Sequence, residues 1–284
     1  MILIFGSAHH PGLQLVHQAL LAREANVLFL LQEGFTGHTQ LSLTNDSGSL
    51  LLEGMDPLDL SEVTSVCMDG FYVPPGYNLE GLDQEDVEYL QTETWATLVG
   101  LFGFLSKTAL MANFFLERDH FSTRWGTLRF LASHGLAVPR ALVTSDREAL
   151  AEFRGRVGDL VFKPVSDPTS AMLAWTEETE KRLENLSLAP VHFEEAPSGD
   201  VVQLSLIGDQ HFVIPAEAQP PAELVEKLHV MARSAGLTVC DVSLRCSPEG
   251  KWIVSGLRPF VSENSLFLEK PLDAMADLLQ KGLS

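Results

Sequence analysis

Asp159-Leu-Val-Phe-Lys-Pro-Val-Ser-Asp167 is the stretch that decides how this chain is read. Leu160, Val161 and Phe162 make a short apolar run, the mark of a buried strand. The run delivers one lysine, Lys163, and Pro164 then ends it, because proline has no backbone N–H for a ladder. A cation carried by a buried strand belongs in a cleft. On the N-terminal side, Ala141 to Thr144 reads as a strand. Ser145-Asp-Arg-Glu148 reads as a capping box that opens a helix through Phe153, closed by Gly155 and Gly158. On the C-terminal side, Leu173 to Trp175 reads as a short strand, Glu177 to Asn185 as an acidic helix, and Val191 to Glu195 as a strand. Val201 to Ile207 then faces His211 to Ile214 across Gly208-Asp209, a hairpin signal.

Further out, Ile2 to Phe5 is a buried strand and Gly6 to Gly12 a loop. Leu13 to Glu24 is a helix with Leu13, Val16, Leu20 and Leu21 along one stripe, and Val27 to Leu31 is a strand. This order is the first unit of a parallel α/β sheet. Its loop sits at a helix N-terminus, where anions bind readily. With only Gly6 and Gly12 it is no dinucleotide fingerprint, and a plain connection is an equal reading. Gln40 to Thr44 and Ser49 to Glu53 form a hairpin around Asn45-Asp46-Ser47-Gly48. Ser65 to Val73 is a strand ended by Pro74-Pro75-Gly76. Leu82 to Glu93 opens an acidic helix that turns apolar at Trp95, and Asn113 to Asp119 is a connection. Ser122 or Thr123 caps a helix over Arg124 to His134. Trp125, Leu128, Leu131 and Ala132 share its face, and Gly135 lies past its end. Pro221 starts a helix that buries Leu224, Leu228 and Met231. Leu237 to Cys246 alternates, with Cys240, Val242, Leu244 and Cys246 on one face and Asp241, Ser243 and Arg245 on the other. Lys251 to Pro259 follows a turn, and Leu272 to Leu283 is an amphipathic helix.

The totals narrow the function. The chain has 284 residues and a net charge of −19. Such acidity argues against a phosphate-neutralising face and hence against nucleic acid. Three cysteines without regular spacing, Cys67, Cys240 and Cys246, point to a reducing, cytoplasmic setting. His9-His10 are adjacent, and adjacent residues rarely converge on one metal ion. Met1-Ile-Leu-Ile-Phe5 has no basic n-region and reads as a strand, not a signal peptide. Trp95 to Leu116 is long enough for a bilayer. Lys107 near its middle would cost roughly 2.5–3.5 kcal/mol there. The segment therefore reads as a buried helix, a turn and a short strand.

In this order the elements resemble the ATP-grasp superfamily, in particular its peptide-ligase branch, similar to ribosomal S6 glutamate ligases and the ligases that cyclise microviridin precursors. The likeness covers almost the whole chain. It rests on the β-loop-α start, on Gly-Leu-Ala-Val-Pro-Arg-Ala-Leu-Val-Thr-Ser-Asp (135–146), and on Val-Phe-Lys-Pro (161–164). It continues through Ser-Gly-Asp-Val-Val-Gln-Leu-Ser-Leu-Ile-Gly-Asp (198–209) and Cys-Asp-Val-Ser (240–243). The resemblance implies an α/β plus α+β architecture: a parallel α/β domain over 1–118, a small lobe over 119–198 and a C-terminal lobe over 199–284, the lobes enclosing a cleft for ATP and Mg2+. A substrate carboxylate would attack the γ-phosphate, and an amine would capture the acyl phosphate.

Carried across residue by residue, the resemblance makes Lys163 the lysine of the Val-Lys-Pro strand. Arg124 falls at an earlier phosphate-binding lysine, a planar fork in place of a point charge. Glu194 or Glu195 falls at the hinge acid, Gln203 at an arginine, and Asp241 at the first metal ligand. No residue is named catalytic. Two departures stand out. Ser166-Asp-Pro-Thr-Ser-Ala171 replaces a run of glycines whose N–H groups would wrap phosphate. Ser255-Gly-Leu-Arg-Pro259 replaces Glu-x-Asn-Pro, with Glu263-Asn264 only later, and Mg2+ is poorly held by Asp241 alone. The expected function is therefore a binding or partner subunit of ATP-grasp fold in which Mg-ATP catalysis is lost or weakened. The alternative is an active carboxylate-amine ligase. Its partner would be a peptide, a small-molecule carboxylate or a catalytic paralogue, with no membrane, and a homodimer is left open. Taken singly, Lys163 could be a strand end, Asp241 a cap or a partner of Arg245, and Arg258 a partner of an acid or of an anion in the metal's place.

Overall fold

The computed structural model describes residues 1–32, 35, 39–68, 81–112, 123–165 and 171–283. The turn at Pro74 to Gly76, the connection at Asn113 to Asp119, the alternative cap Ser122 and the loop at 166–170 lie outside them.

The first sheet is parallel, ordered β2 (Val27–Leu31), β1 (Ile2–Gly6), β6 (Ser65–Met68), β7 (Leu110–Ala112). Both faces are covered, which is why Ile2 to Phe5 is continuously apolar. Ile2 and Ile4 pack on Leu13, Val16 and Leu20 of α1 (Pro11–Ala22) and on Ala274, Met275 and Leu279 of the chain's last described helix, α8 (Glu269–Lys281). Leu3 and Phe5 pack on Leu98, Leu101 and Phe102 of α2 (Gln84–Leu105). Leu21 is half exposed, one position off the buried stripe. An antiparallel sheet of β3 (Thr39–Leu43), β4 (Gly48–Leu52) and β5 (Leu58–Asp59) joins the α2 side. Among the described residues no helix is long and apolar enough to cross a membrane. Trp95 to Leu105 is the inner half of α2.

The second sheet is antiparallel, ordered β10 (Leu173–Ala174), β9 (Leu160–Pro164), β11 (Val191–Glu195), β8 (Ala141–Thr144). Leu142, Phe162 and Phe193 stand opposite one another and point into a small core with Leu150 and Phe153 of α4 (Arg147–Val157). The alternate residues therefore share the other face: Val143, Lys163 and His192 in one row, Ala141, Val161 and Glu194 in the next. Asp146 caps α4 by accepting from the Glu148 N–H, so the expected Ser145 box does not form. Gly155 stays inside α4, and Gly158 ends it at φ +84°.

The third sheet is antiparallel, ordered β13 (Gln210–Ile214), β12 (Asp200–Ile207), β14 (Val239–Cys246), β15 (Trp252–Arg258). Val202, Leu204, Leu206, Cys240, Val242 and Leu244 pack on Leu228 and Met231 of α6 (Ala222–Ser234) and on Leu131 of α3 (Arg124–Ser133). Helix α3 thus precedes the second sheet in sequence but lies on the third. Its inner side is Thr127, Leu128 and Leu131; Trp125 and Ala132 face solvent, contrary to the expected stripe. Cys246, expected inside, is half buried at the end of β14. The sheet's opposite face is polar. Gln203, Ser243 and Gly256 form one row, and Ser205, Asp241 and Arg258 the next.

Candidate functional site

The two polar faces carry the residues expected to bind a cofactor. On the second sheet, Lys163 is 2% exposed, His192 0% and Glu194 3%. Burying charge without partners is expensive, and Glu194 is held from two sides. Arg124 donates to both its oxygens, Nε to Oε1 at 2.5 Å and Nη2 to Oε2 at 2.8 Å. His192 Nε2 lies 2.7 Å from Oε1. A carboxylate can only accept, so Nε2 carries a proton. Nδ1 is buried, with no hydrogen-bond partner among the described residues. Burial alone would push the Glu194 carboxyl up. The hydrogen bonds from Arg124 and His192 outweigh it and bring it down to about 2.

Arg124 is the first residue of α3, whose N-cap Thr123 accepts from the Gly126 N–H. A cation there opposes the positive end of the helix, which the Glu194 carboxylate compensates. Its Nη1 lies 3.6 Å from the Cβ position of Gly256 on the third sheet. Arg124 therefore sits between the two sheets. Glu195 points to the opposite face of β11, where Arg140 holds it by Nε at 2.8 Å and Nη2 at 3.1 Å. The geometry brings Glu194 into the cleft with Arg124 and Lys163, and leaves Glu195 outside.

On the third sheet Asp241 is 1% exposed. Ser205 Oγ donates to Oδ1 at 2.6 Å, and the Ser262 N–H donates to Oδ2 at 2.8 Å. The Ser265 hydroxyl completes the set, 2.8 Å from Ser205 Oγ and 3.4 Å from Oδ2. Ser262 is the N-cap of α7 (Glu263–Leu266), so Asp241 fastens the start of the C-terminal helices to β14. Burial pushes its carboxyl above the usual range, against these hydrogen bonds. Arg245 binds the Gly199 carbonyl, not Asp241. Arg258, opposite Asp241 in the ladder, is exposed and has no ion-pair partner among the described residues. Gln203 is half buried and its Oε1 accepts from Ser243 at 3.4 Å.

These residues do not suit Mg2+, which asks for several oxygen ligands in near-octahedral array. Both Asp241 oxygens already accept from serine donors, and its ladder neighbour is an arginine. Glu263 lies 3.9 Å from His10 Nε2. Among the described residues no group of three or more His, Cys, Asp or Glu could hold a metal. His10 itself caps α1, its Nδ1 accepting from the Leu13 N–H.

The back of the second sheet holds an open pocket of about 530 Å3 between β9–β11 and the segment α5 (Glu177–Lys181) with its following 3-10 turns (Leu183–Leu188). Phe162, Leu173, Trp175, Leu183, Leu186 and Phe193 line it, with Glu178 and Arg182 at the rim.

No protein-family model matches the sequence, and no curated protein matches it. Solved structures do. Macrocyclase MdnC from Microcystis aeruginosa MRC, bound to precursor peptide MdnA, superposes with a TM-score of 0.84 over 99% of this chain and 100% of its own, at 18% identity. The chain has the ATP-grasp fold. ATP-grasp ligase PsnB, complexed with a minimal precursor, Mg and ADP, gives 0.80 over 98% of each chain at 22% identity. A RiPP-associated ATP-grasp ligase of Chryseobacterium gregarium, with ADP, leader and core peptide, gives 0.82 over 99% of this chain and 96% of its own at 15% identity.

Of the residues singled out from the sequence, Lys163 and Glu194 lie on the polar face of the second sheet, Gln203 and Asp241 on that of the third, and Arg124 between them; His192 and the serines around Asp241 were not among them. His192 had a readable signal, since a polar residue alternates with Phe193 in the same strand as Glu194. The serines had none: Ser205 meets Asp241 across the β12–β14 ladder, and Ser262 and Ser265 reach it through the packing of α7.

Proposed function

We propose that this chain is a peptide-binding protein of ATP-grasp fold, a partner subunit to a catalytic paralogue, in which metal-dependent ATP chemistry is lost or strongly weakened. The observation that carries this reading is the engagement of both Asp241 oxygens by Ser205, the Ser262 N–H and Ser265. A carboxylate already held by three protein donors, with Arg258 across the ladder, is a fastener for α7 and a poor metal ligand. Arg124 points the same way. As a phosphate clamp it would need a free fork, and the Nε–Nη2 edge of its guanidinium is taken by Glu194.

The peptide would lie in the pocket behind the second sheet. Its aromatic and aliphatic lining suits two or three apolar side chains, and the Glu178–Arg182 rim is polar and wet. The peptide complexes of MdnC, PsnB and the Chryseobacterium ligase support a peptide as the partner class. The division into 1–118, 119–198 and 199–284 and a cytoplasmic setting belong to the same reading.

The test is a pair of titrations. Mg-ATP should release no ADP, with or without peptide, and should raise the melting temperature no more than ATP does in EDTA. A fluorescein-labelled apolar peptide should bind and be displaced by its unlabelled form. Peptide-dependent ADP release that vanishes in Asp241→Asn would refute the proposal and favour the second reading, an active carboxylate-amine ligase. One observation speaks for that reading: Lys163 is retained, buried on the cleft face.

A further inference from the structure

Three facts about the Arg124–Glu194 pair set it apart from the other ion pairs of the described residues. It is buried at both ends, 13% and 3% exposed, whereas the arginine–carboxylate pairs Arg23–Asp273, Arg140–Glu195, Arg154–Glu180, Arg182–Glu178 and Arg233–Glu226 all lie at the surface. It joins different layers, because Glu194 belongs to the second sheet and Arg124 to a helix packed on the third. It also has a third member. His192 donates to the same Oε1 that Arg124 Nε uses, so the carboxylate keeps a partner if the guanidinium leaves.

A planar guanidinium with two parallel N–H groups matches any carboxylate or phosphate in the same geometry. Here the oxyanion it holds is part of the chain. Lys163 stands in the neighbouring row of the same face, one ladder position from Glu194. Gly256, Ser243 and Gln203 form the facing floor. The surroundings are thus those of an anion site, and among the described residues the carboxylate that Arg124 holds there is Glu194.

We propose that Glu194 is a built-in occupant of the cleft's anion site, a latch that ties the Arg124 fork across the gap between the second and third sheets and that an external phosphate must displace. The inference rests on the proposed loss of metal-dependent chemistry and adds what keeps the cleft shut. It assigns the site a ligand class, a phosphate monoester or diphosphate bound without metal. It assigns His192 a positioning role: it retains the displaced carboxylate so that Arg124 can turn to the ligand. Because Arg124 and His192 keep the carboxyl near 2, Glu194 is ionised throughout the neutral range and the latch is set there.

The test is binding of ADP and of inorganic phosphate in EDTA, by calorimetry, to the full chain and its variants. Glu194→Gln removes the charge but keeps the shape, and should tighten ADP binding by about tenfold or more, the worth of a freed charge-assisted pair. Inorganic phosphate should gain by a similar factor. Arg124→Gln in the E194Q background should abolish the gain. If Glu194 instead touched the nucleotide directly, E194Q would bind more weakly than the parent, and that result, or no change, overturns the latch. Should E194Q fail to fold, Glu194→Asp tests the same point, since a shorter side chain loosens the fork and should give a smaller gain. In the unaltered chain, the Arg124 Nε–H resonance should shift on saturation with ADP; saturation without a shift overturns the latch as well. The two readings fail separately. Turnover of Mg-ATP by the parent defeats the proposed function and leaves an E194Q gain standing, while inert E194Q defeats the latch alone.

Discussion

Arg124→Met removes the guanidinium and leaves Glu194 buried with His192 as its remaining partner. Its magnitude follows from the carboxyl's displacement. The fall from 4.5 to about 2 is worth roughly 3 kcal/mol at 1.36 kcal/mol per unit. The sign follows from a depressed folded value. The stability is present above 4.5 and is lost as pH falls from 4.5 towards 2. In R124M the burial that raises the carboxyl is unopposed except by His192, so this contribution shrinks or reverses at neutral pH. Urea unfolding at neutral pH should show a loss of about 3–5 kcal/mol, as for other buried pairs broken on one side. The stability of the variant should also start to fall at a higher pH than that of the parent. Arg124→Met with Glu194→Gln should recover most of the loss, because no unpaired charge remains. If R124M stays within about 0.5 kcal/mol of the parent, or if the two single effects simply add, the pair is not the coupled unit described here.

Four further outcomes are expected. Asp241→Asn places an amide where Ser205 and the Ser262 N–H donate, so it should lose about 2 kcal/mol and speed hydrogen exchange selectively in α7 and α8; uniform exchange would contradict the fastening role. Because the Asp241 carboxyl is raised, its effect on stability runs opposite to that of Glu194: favourable below 3.8 and lost as pH rises through the folded value, which an acid-limb unfolding series on D241N against the parent resolves. Gly199 sits at φ +84°, and a Cβ there would lie 2.0 Å from the Cys246 carbonyl oxygen, so Gly199→Ala should lower the urea midpoint by the equivalent of more than about 2 kcal/mol. Leu173 is half exposed in the pocket, and Leu173→Asp should weaken labelled-peptide binding about tenfold or more while leaving the circular dichroism unchanged.

Much of the architecture is local and was legible from residue order. The alternation of Leu237 to Cys246 separates Cys240, Val242 and Leu244 from Asp241 and Ser243, because a strand has a period of two. The hairpin at Gly208-Asp209 and the uninterrupted apolar run of β1 follow from turn chemistry and from a sheet covered on both faces. Short-range cap details were harder. Asp146 rather than Ser145 caps α4, since side chains one residue apart compete for the same N–H groups.

What a polar residue meets was another matter. Residues 124 and 194 are 70 apart in sequence, and each alone reads as a surface charge or a ligand-binding group. Their meeting depends on α3 packing against the third sheet while Glu194 rides on the second. Asp241 is similar: its strand and face were readable, but its three serine donors come from β12 and from α7. By itself, then, the sequence determined the strands, the faces and the positions of Lys163, Glu194 and Asp241 on them. Only the tertiary structure decided which of those charges are spent inside the chain. Apolar burial is non-directional and written in periodicity, whereas hydrogen bonds need distance and angle, and those exist only once the layers are assembled.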